Sequence, residues 1–320
     1  MNKRYIKIAL ALLCVVGYMQ NVASASETAV ATNSSNAECK EKLSSLPKEV
    51  TKEQYLRFKQ QVISRSKQQK SSSPKKAKQP KISIAEEAKQ AANVMTEALN
   101  IAKEHAEHTD DYKLYYADNG AIIHFKPLHH AEIGKLVFTI PNADSYADIV
   151  KMLWDQNAEK KLNDSFIKGT TSQIYNENLA LIQNIYKDDL SNVYFNALAN
   201  KVELSENETA ILLVSSDMND HYPANVINGM NYVNPIVKGA NSFKPDVNSA
   251  TEVRIGHAHK MYINLLAVFI KKEADGVKIT QLSSIEHGYI PDSPSPRETL
   301  RNMTASVMLN TTKIGNIIAN

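Results

Sequence analysis

The stretch His259–Asn320, HKMYINLLAVFIKKEADGVKITQLSSIEHGYIPDSPSPRETLRNMTASVMLNTTKIGNIIAN, decides the fold. It reads as a long β-hairpin, a proline-punctuated loop and a closing helix. Asp275-Gly276 is a dipeptide suited to a type I′ turn, which would pair Glu273 with Lys278 and Phe269 with Leu282. From Leu265 to Ile270 every position is apolar, so both faces of that strand are expected to be covered. The returning strand interleaves Thr280, Gln281, Ser283 and Ser284 with Ile279, Leu282 and Ile285. Two accounts fit this pattern: a half-exposed strand, or one wall of an internal cavity that holds an amphipathic molecule. Beyond Pro291, Pro294 and Pro296 a helical spacing resumes at Leu300, Met303, Val307 and Ile314, which lays a helix over the sheet. For a cavity, the expected inward register is Ile263, Leu265, Ala267 and Phe269 with Leu282 opposite; Ile185, Phe195, Met303 and Val307 complete the wall. Each of these side chains would serve equally well in a dry core.

Upstream segments supply partners for the hairpin. Ser83-Ile84-Ala85-Glu86 is a capping box, and Ile84, Ala88, Ala91, Met95, Ala98 and Ala102 follow at helical spacing. Strands are expected near 112–116, 122–127 and 134–140, the first two joined by Asn119-Gly120. Ser145 and Asp148 open a second helix with Tyr146, Ile149, Leu153 and Trp154 on its apolar side. Four further strands, near 166–175, 179–186, 193–204 and 209–216, complete an antiparallel meander. The order excludes βαβ repetition and gives an α+β fold with a curved sheet. Between Asp217 and Arg254 periodicity is lost among Asn, Pro and Gly, and this segment is a candidate lid that would move with the C-terminal helix.

The first 25 residues stand apart. Lys3, Arg4 and Lys7 precede an apolar run that ends before Ala23-Ser24-Ala25, the pattern of a cleaved secretory signal. Residues 26–81 form a low-complexity linker expected to be disordered. Within it, positions 54–81 hold nine basic residues and no acid, whereas 82–320 carries 21 basic against 29 acidic residues. A solvated linker and an anionic membrane surface both account for the basic run; nucleic acid is disfavoured by the acidic domain beside it. With Cys14 inside the signal, Cys39 is left alone and no internal disulfide can form. Sequons occur at Asn33, Asn163, Asn207, Asn302 and Asn310.

Motifs of catalysis are lacking. His105-x-x-His108 sits at a helix end without either zincin pattern, and His129-His130 and His257-x-His259 are no better placed. Neither a glycine-rich phosphate loop nor a G-x-S-x-G elbow occurs.

Several segments carry a family resemblance: MNKRYIKIALALLCVVGYMQNVASASE, AEEAKQAANVMTEALNIAKEHAEHTDDYKLY, IGKLVFTIPNADSYADIVKMLWD, YFNALANKVELSENETAILLVSSDMNDH and YVNPIVKGANSFKPD. Together they resemble the fam-a proteins of malaria parasites, a family similar to START (steroidogenic acute regulatory protein-related lipid transfer) domains. The stretches 146–164, 195–215 and 285–291 stand where such domains have matching segments. The resemblance implies a helix-grip fold over 82–320, with a curved antiparallel sheet wrapped around the C-terminal helix. It further implies a monomeric, non-enzymatic carrier of one phosphatidylcholine-type phospholipid, needing no cofactor and touching membranes transiently. Such a protein would be secreted toward the parasitophorous vacuole or host erythrocyte. The alternative is an exported host-cell interaction protein with a vestigial cavity. Gln183 and Ala197 fall where choline-gripping START domains carry cage aromatics, and Glu159 or Lys160 near the place of their arginine.

Overall fold

The computed structural model describes residues 83–187, 192–223, 232–288 and 294–319. The signal and linker, with Asn33 and Cys39, lie outside these residues.

Helix α1 (Ile84–Glu107) starts where Ser83 Oγ accepts the Glu86 amide at 3.2 Å, as the capping box requires. Its buried stripe is Ala91, Val94, Met95, Ala98 and Ala102; Ile84, expected to join it, is exposed. At the other end the buried Lys135 ammonium donates to the Ala106 and His108 carbonyls (2.6 and 3.4 Å), meeting orphan acceptors at the negative pole of the helix.

Strands β1 (Lys113–Asp118), β2 (Ala121–Pro127) and β3 (Glu132–Pro141) follow. Asn119-Gly120 makes the first turn, both residues having positive φ (49° and 77°) as a type I′ turn demands. Next come α2 (Tyr146–Trp154) and α3 (Glu159–Leu162), then β4 (Phe166–Asn176), β5 (Leu179–Tyr186), β6 (Asn192–Ser205) and β7 (Glu208–Val214). The short α4 (Thr251–Arg254) and β8 (Ala258–Lys260) precede the hairpin β9 (Tyr262–Lys272) and β10 (Gly276–Glu286), and helices α5 (Pro296–Thr311) and α6 (Ile314–Ile318) close the chain.

The sheet order is β1-β2-β3-β10-β9-β7-β6-β5-β4, with β8 pairing β6. The final hairpin therefore inserts between two earlier meanders and joins them into one sheet. Register shifts in the β1–β2, β4–β5, β6–β7 and β9–β10 pairs bend it, since each bulge adds local twist. The result is an α+β helix-grip fold, with α5 against the inner face and α1 against the outer.

In the hairpin, Val277 pairs Lys272 and Leu282 pairs Ala267, two residues away from the register expected from Asp275-Gly276. The tight turn is Ala274-Asp275, closed by the Glu273 amide on the Gly276 carbonyl (2.8 Å). Gly276 serves another purpose: a Cβ there would come within 2.5 Å of the Ile140 carbonyl oxygen on β3.

Residues 224–231 of the candidate lid lie outside the described residues, and the rest of it is not over the inner face. Met218, Ile236, Val237, Ala240, Phe243 and Val247 join α1 in the outer core. Glu97 of α1 accepts the Lys238 and Gly239 amides, each at 2.9 Å. Buried Asp220 takes hydrogen bonds from Tyr194 and Asn196 (2.9 Å each) and an ion pair from Lys260 (2.7 Å). Gln183 points outward into the same layer, bonding Asn196, Ser249 and the Ala250 amide. Glu97→Ala removes a charged acceptor from two amides and is expected to cost about 2 kcal/mol in chemical denaturation, with faster amide exchange concentrated at 236–243. Uniform exchange in the variant would show that Glu97 does not anchor this segment.

Candidate functional site

Between the inner face of the sheet and helices α2, α3 and α5 lies a cavity of about 610 Å³. Its sheet wall is built from Ile182 on β5, Val193 and Phe195 on β6, Ile211 and Leu213 on β7, Ile263, Leu266 and Val268 on β9, and Ile285 on β10. Trp154 and Leu162 close one side, and Met303 and Val307 of α5 close another. This is within the ~300–1,000 Å³ typical of pockets that bury most of a small ligand.

Of the nine side chains expected at the wall, Phe195, Ile263, Met303 and Val307 line the cavity. Leu265, Ala267, Phe269 and Leu282 lie on the outer face, packed in one cluster with α1. The reason is a bulge: Ile263 pairs Ile285 and Leu265 pairs Ser284, which leaves Asn264 as an extra residue and exchanges the two faces of β9 after Ile263. The inward residues beyond it are Leu266 and Val268. Ile185 also faces outward, packed with Tyr194, Val253 and Ala258. On β5 the inward positions are Ile182, Asn184 and Tyr186, so a polar residue lines the cavity where alternation favoured Ile185.

Asn184 belongs to a polar end of the cavity on the α3–β5 side. Gln156 Nε2 donates to Asn184 Oδ1 (2.5 Å), Asn184 Nδ2 to the Tyr186 hydroxyl (3.3 Å), and that hydroxyl to Glu159 Oε1 (3.4 Å). Tyr186 stacks on Phe195 (centroids 6.1 Å apart, 27° between planes) and meets Phe166 edge-on at 5.7 Å. Burial pushes the Glu159 carboxyl above its usual range, opposed by hydrogen bonds from Tyr186 and Asn163. The family resemblance puts Glu159 or Lys160 near the place of an arginine, but nothing local in the sequence signals this network, whose members lie on separate elements.

His287 lines the cavity near the start of α5, with Nε2 3.0 Å from Thr304 Oγ1. Burial pushes its pKa down to about 4. The other histidines do not gather: His105 Nδ1 faces the Tyr112 hydroxyl at 3.0 Å, and no group of three candidate metal ligands occurs among the described residues. Of the sequons, Asn163, Asn302 and Asn310 are buried and Asn207 is exposed.

No family model matches the sequence, and no curated protein matches it. Solved structures do show a likeness. Human STARD10 aligns over 68% of this chain and 77% of its own, at 13% identity and a TM-score of 0.47. The human StarD13 (DLC2) lipid transfer and protein localization domain covers 68% and 94% at 9% identity and 0.45. Human StAR-related lipid transfer protein 5 covers 68% and 98% at 11% identity and 0.43.

Two measurements check the geometry. Leu266→Trp is expected to occupy the cavity with little loss of stability, whereas Leu265→Trp should overpack the core under α1 and cost ~1–3 kcal/mol; the reverse ranking would put the bulge elsewhere. For His287 the folded pKa lies below the ordinary 6.5, so its neutral form is fully accommodated above that value and stability falls as pH drops toward about 4. Denaturation of wild type should therefore weaken by about 3 kcal/mol more than that of His287→Leu between neutral pH and pH ~4. Parallel curves would show that His287 has the same pKa in the folded and unfolded chain.

Proposed function

We propose that this chain is a lipid carrier, holding one lipid between the sheet and α5 and performing no covalent chemistry. The observation that carries the reading is the cavity itself: an apolar wall across β9, β7 and β6 that ends in the polar Gln156–Asn184–Tyr186–Glu159 chain. Such a container suits an amphipathic molecule whose chain replaces water along the wall and whose head meets the polar end.

The polar end favours a cation. Tyr186, Phe195 and Trp154 line the cavity together with Glu159, and quaternary ammonium groups are recognised by aromatic faces in company with carboxylates. This supports a phosphatidylcholine-type cargo. The arrangement differs from a cage built on Gln183 and Ala197, because Gln183 faces outward and Ala197 contributes only a methyl beside Phe195 and Ile263. Secretion through the leader at 1–25, and export toward a vacuole or host cell, are part of the proposal and rest on the sequence pattern and the fam-a resemblance.

Native mass spectrometry of the purified chain should find a co-purifying phospholipid at one per protein; a ligand-free protein that also takes up none from vesicles would overturn the carrier reading. Because burial raises the Glu159 carboxyl and a bound cation favours its ionised form, phosphatidylcholine affinity should rise with pH through the titration of this group. Glu159→Gln should abolish that dependence and weaken binding about tenfold, the equivalent of 1–2 kcal/mol of lost attraction.

A further inference from the structure

The cavity has further polar lining on β10 and α5. Gln281 of β10 is 2% exposed, and Asn310 and Thr311 of α5 are each 8% exposed; all three line the cavity. Gln281 Nε2 donates to Ser283 Oγ at 3.1 Å, but its Oε1 has no partner among the described residues. No hydrogen bond ties the Asn310 or Thr311 side chain to a described residue. An unmatched buried amide costs roughly 1–3 kcal/mol, so such groups normally meet a ligand or an ordered water.

We propose that Gln281, Asn310 and Thr311 form a subsite for an uncharged hydroxyl or carbonyl carried within the hydrophobic part of the cargo. The inference rests on the carrier reading above, with the head beside Glu159. Placement supports it. On α5 the cavity-facing positions are Met303, Val307, Asn310 and Thr311, so one helical face changes from apolar to polar along its length. Gln281 stands on β10, which is separated from the Tyr186-bearing strand β5 by β9, β7 and β6. Four strand spacings amount to about 19 Å along the sheet. The intervening wall, Val268, Leu266, Ile211, Leu213 and Phe195, offers no polar side chain.

Charge also distinguishes the two places. The Asp, Glu and Lys residues of the lining, Asp155, Glu159, Glu177 and Lys187, lie on the segment from α2 to β5, whereas the subsite presents two amides and a hydroxyl. Those groups both donate and accept, which matches a hydroxyl or carbonyl and leaves a carboxylate or ammonium without a counter-charge. Asn310 opens a sequon, but at 8% exposure it faces the cavity rather than a glycosylating enzyme.

The test is a displacement titration of full-length protein with three phosphatidylcholines of equal chain length, one plain, one with a mid-chain hydroxyl and one with a chain-terminal hydroxyl. Wild type is expected to bind one hydroxylated lipid about fivefold more tightly than the plain one, the worth of one neutral hydrogen bond. In Asn310→Leu and in the near-isosteric Thr311→Val that ratio should collapse toward unity. Should Asn310→Leu not fold, Thr311→Val and the wild-type ratio decide the matter. Equal wild-type binding of all three lipids overturns the subsite and leaves the carrier reading intact. Binding of none overturns the carrier reading and the subsite with it. Variants that weaken all three lipids alike, keeping the ratio, would place the head at this end and also overturn the proposal.

Discussion

One extra residue on one strand settles which side chains see the cavity. Asn264 is bulged out of the β9–β10 ladder, and three bonds fix it: its Nδ2 donates to Ser284 Oγ (3.1 Å), its Oδ1 accepts from the Tyr232 hydroxyl (2.6 Å), and its carbonyl accepts from Asn234 Nδ2 (2.9 Å). Because side chains alternate along a strand, an inserted residue exchanges the two faces beyond it. Ile263 looks into the cavity, Leu265 lies beneath α1, and the outer core and the inner wall are both set from that point. Asn234 in turn organises the segment after β7, its Oδ1 capping the Ile236 and Val237 amides (2.9 Å each). The corner of the cavity and the covering of the opposite face thus share one hydrogen-bonded joint.

The sequence made the elements legible and left their faces only partly so. Helix α1, the Asn119-Gly120 turn and the strand runs follow from caps, turn chemistry and period-two alternation, all of which are local. The hairpin slipped by two residues because Gly276 looked like a turn glycine, yet a slip of two keeps parity, so it cost nothing in assigning faces. The bulge did the damage. A run such as Leu265–Ile270, apolar on both faces, contains no contrast from which a change of face could be read. On β5 the contrast was present and misleading, since the inner face takes Asn184 and the outer takes Ile185. Lack of period alone suggests a lid from Asp217 to Arg254. Asn234 and Asn241 instead satisfy loop backbone, and Val237, Phe243 and Val247 are buried under an ordinary helix.

The C-terminal helix depends on polar ties at both ends. Arg301 makes a two-point contact with Glu132 at the start of β3 (2.8 and 2.6 Å), and Lys313 reaches the Leu162 carbonyl at 3.1 Å. The Arg301 guanidinium also lies over Tyr115 and Phe125 at 5.9 and 5.6 Å. Between these ties, Met308 approaches β3 so closely that Gly134 has no room for a Cβ beside its sulfur (2.8 Å). One side of α5 is therefore seated against β3 and β10, and the side carrying Met303 and Val307 is left to face open space. Ends that are held by directional bonds let the middle of a helix stand over a cavity without falling into it.

That open space survives because the two faces of the sheet are filled differently. Under α1 small residues lie on the helix, Ala91, Ala98 and Ala102, and draw it close to large strand residues such as Leu181, Leu212 and Leu265. On the inner face three strand alanines, Ala180, Ala197 and Ala199, face inward, and the helices across from them leave the space beside them open. An apolar void forfeits dispersion contacts along its whole lining, so the inner face holds less of the folding energy than its area suggests. A molecule that binds the folded state alone recovers those contacts and adds its binding free energy to stability. The outer core is filled and the inner face holds the hollow, so a ligand in the cavity would add to the stability of the inner face and leave the outer core unchanged.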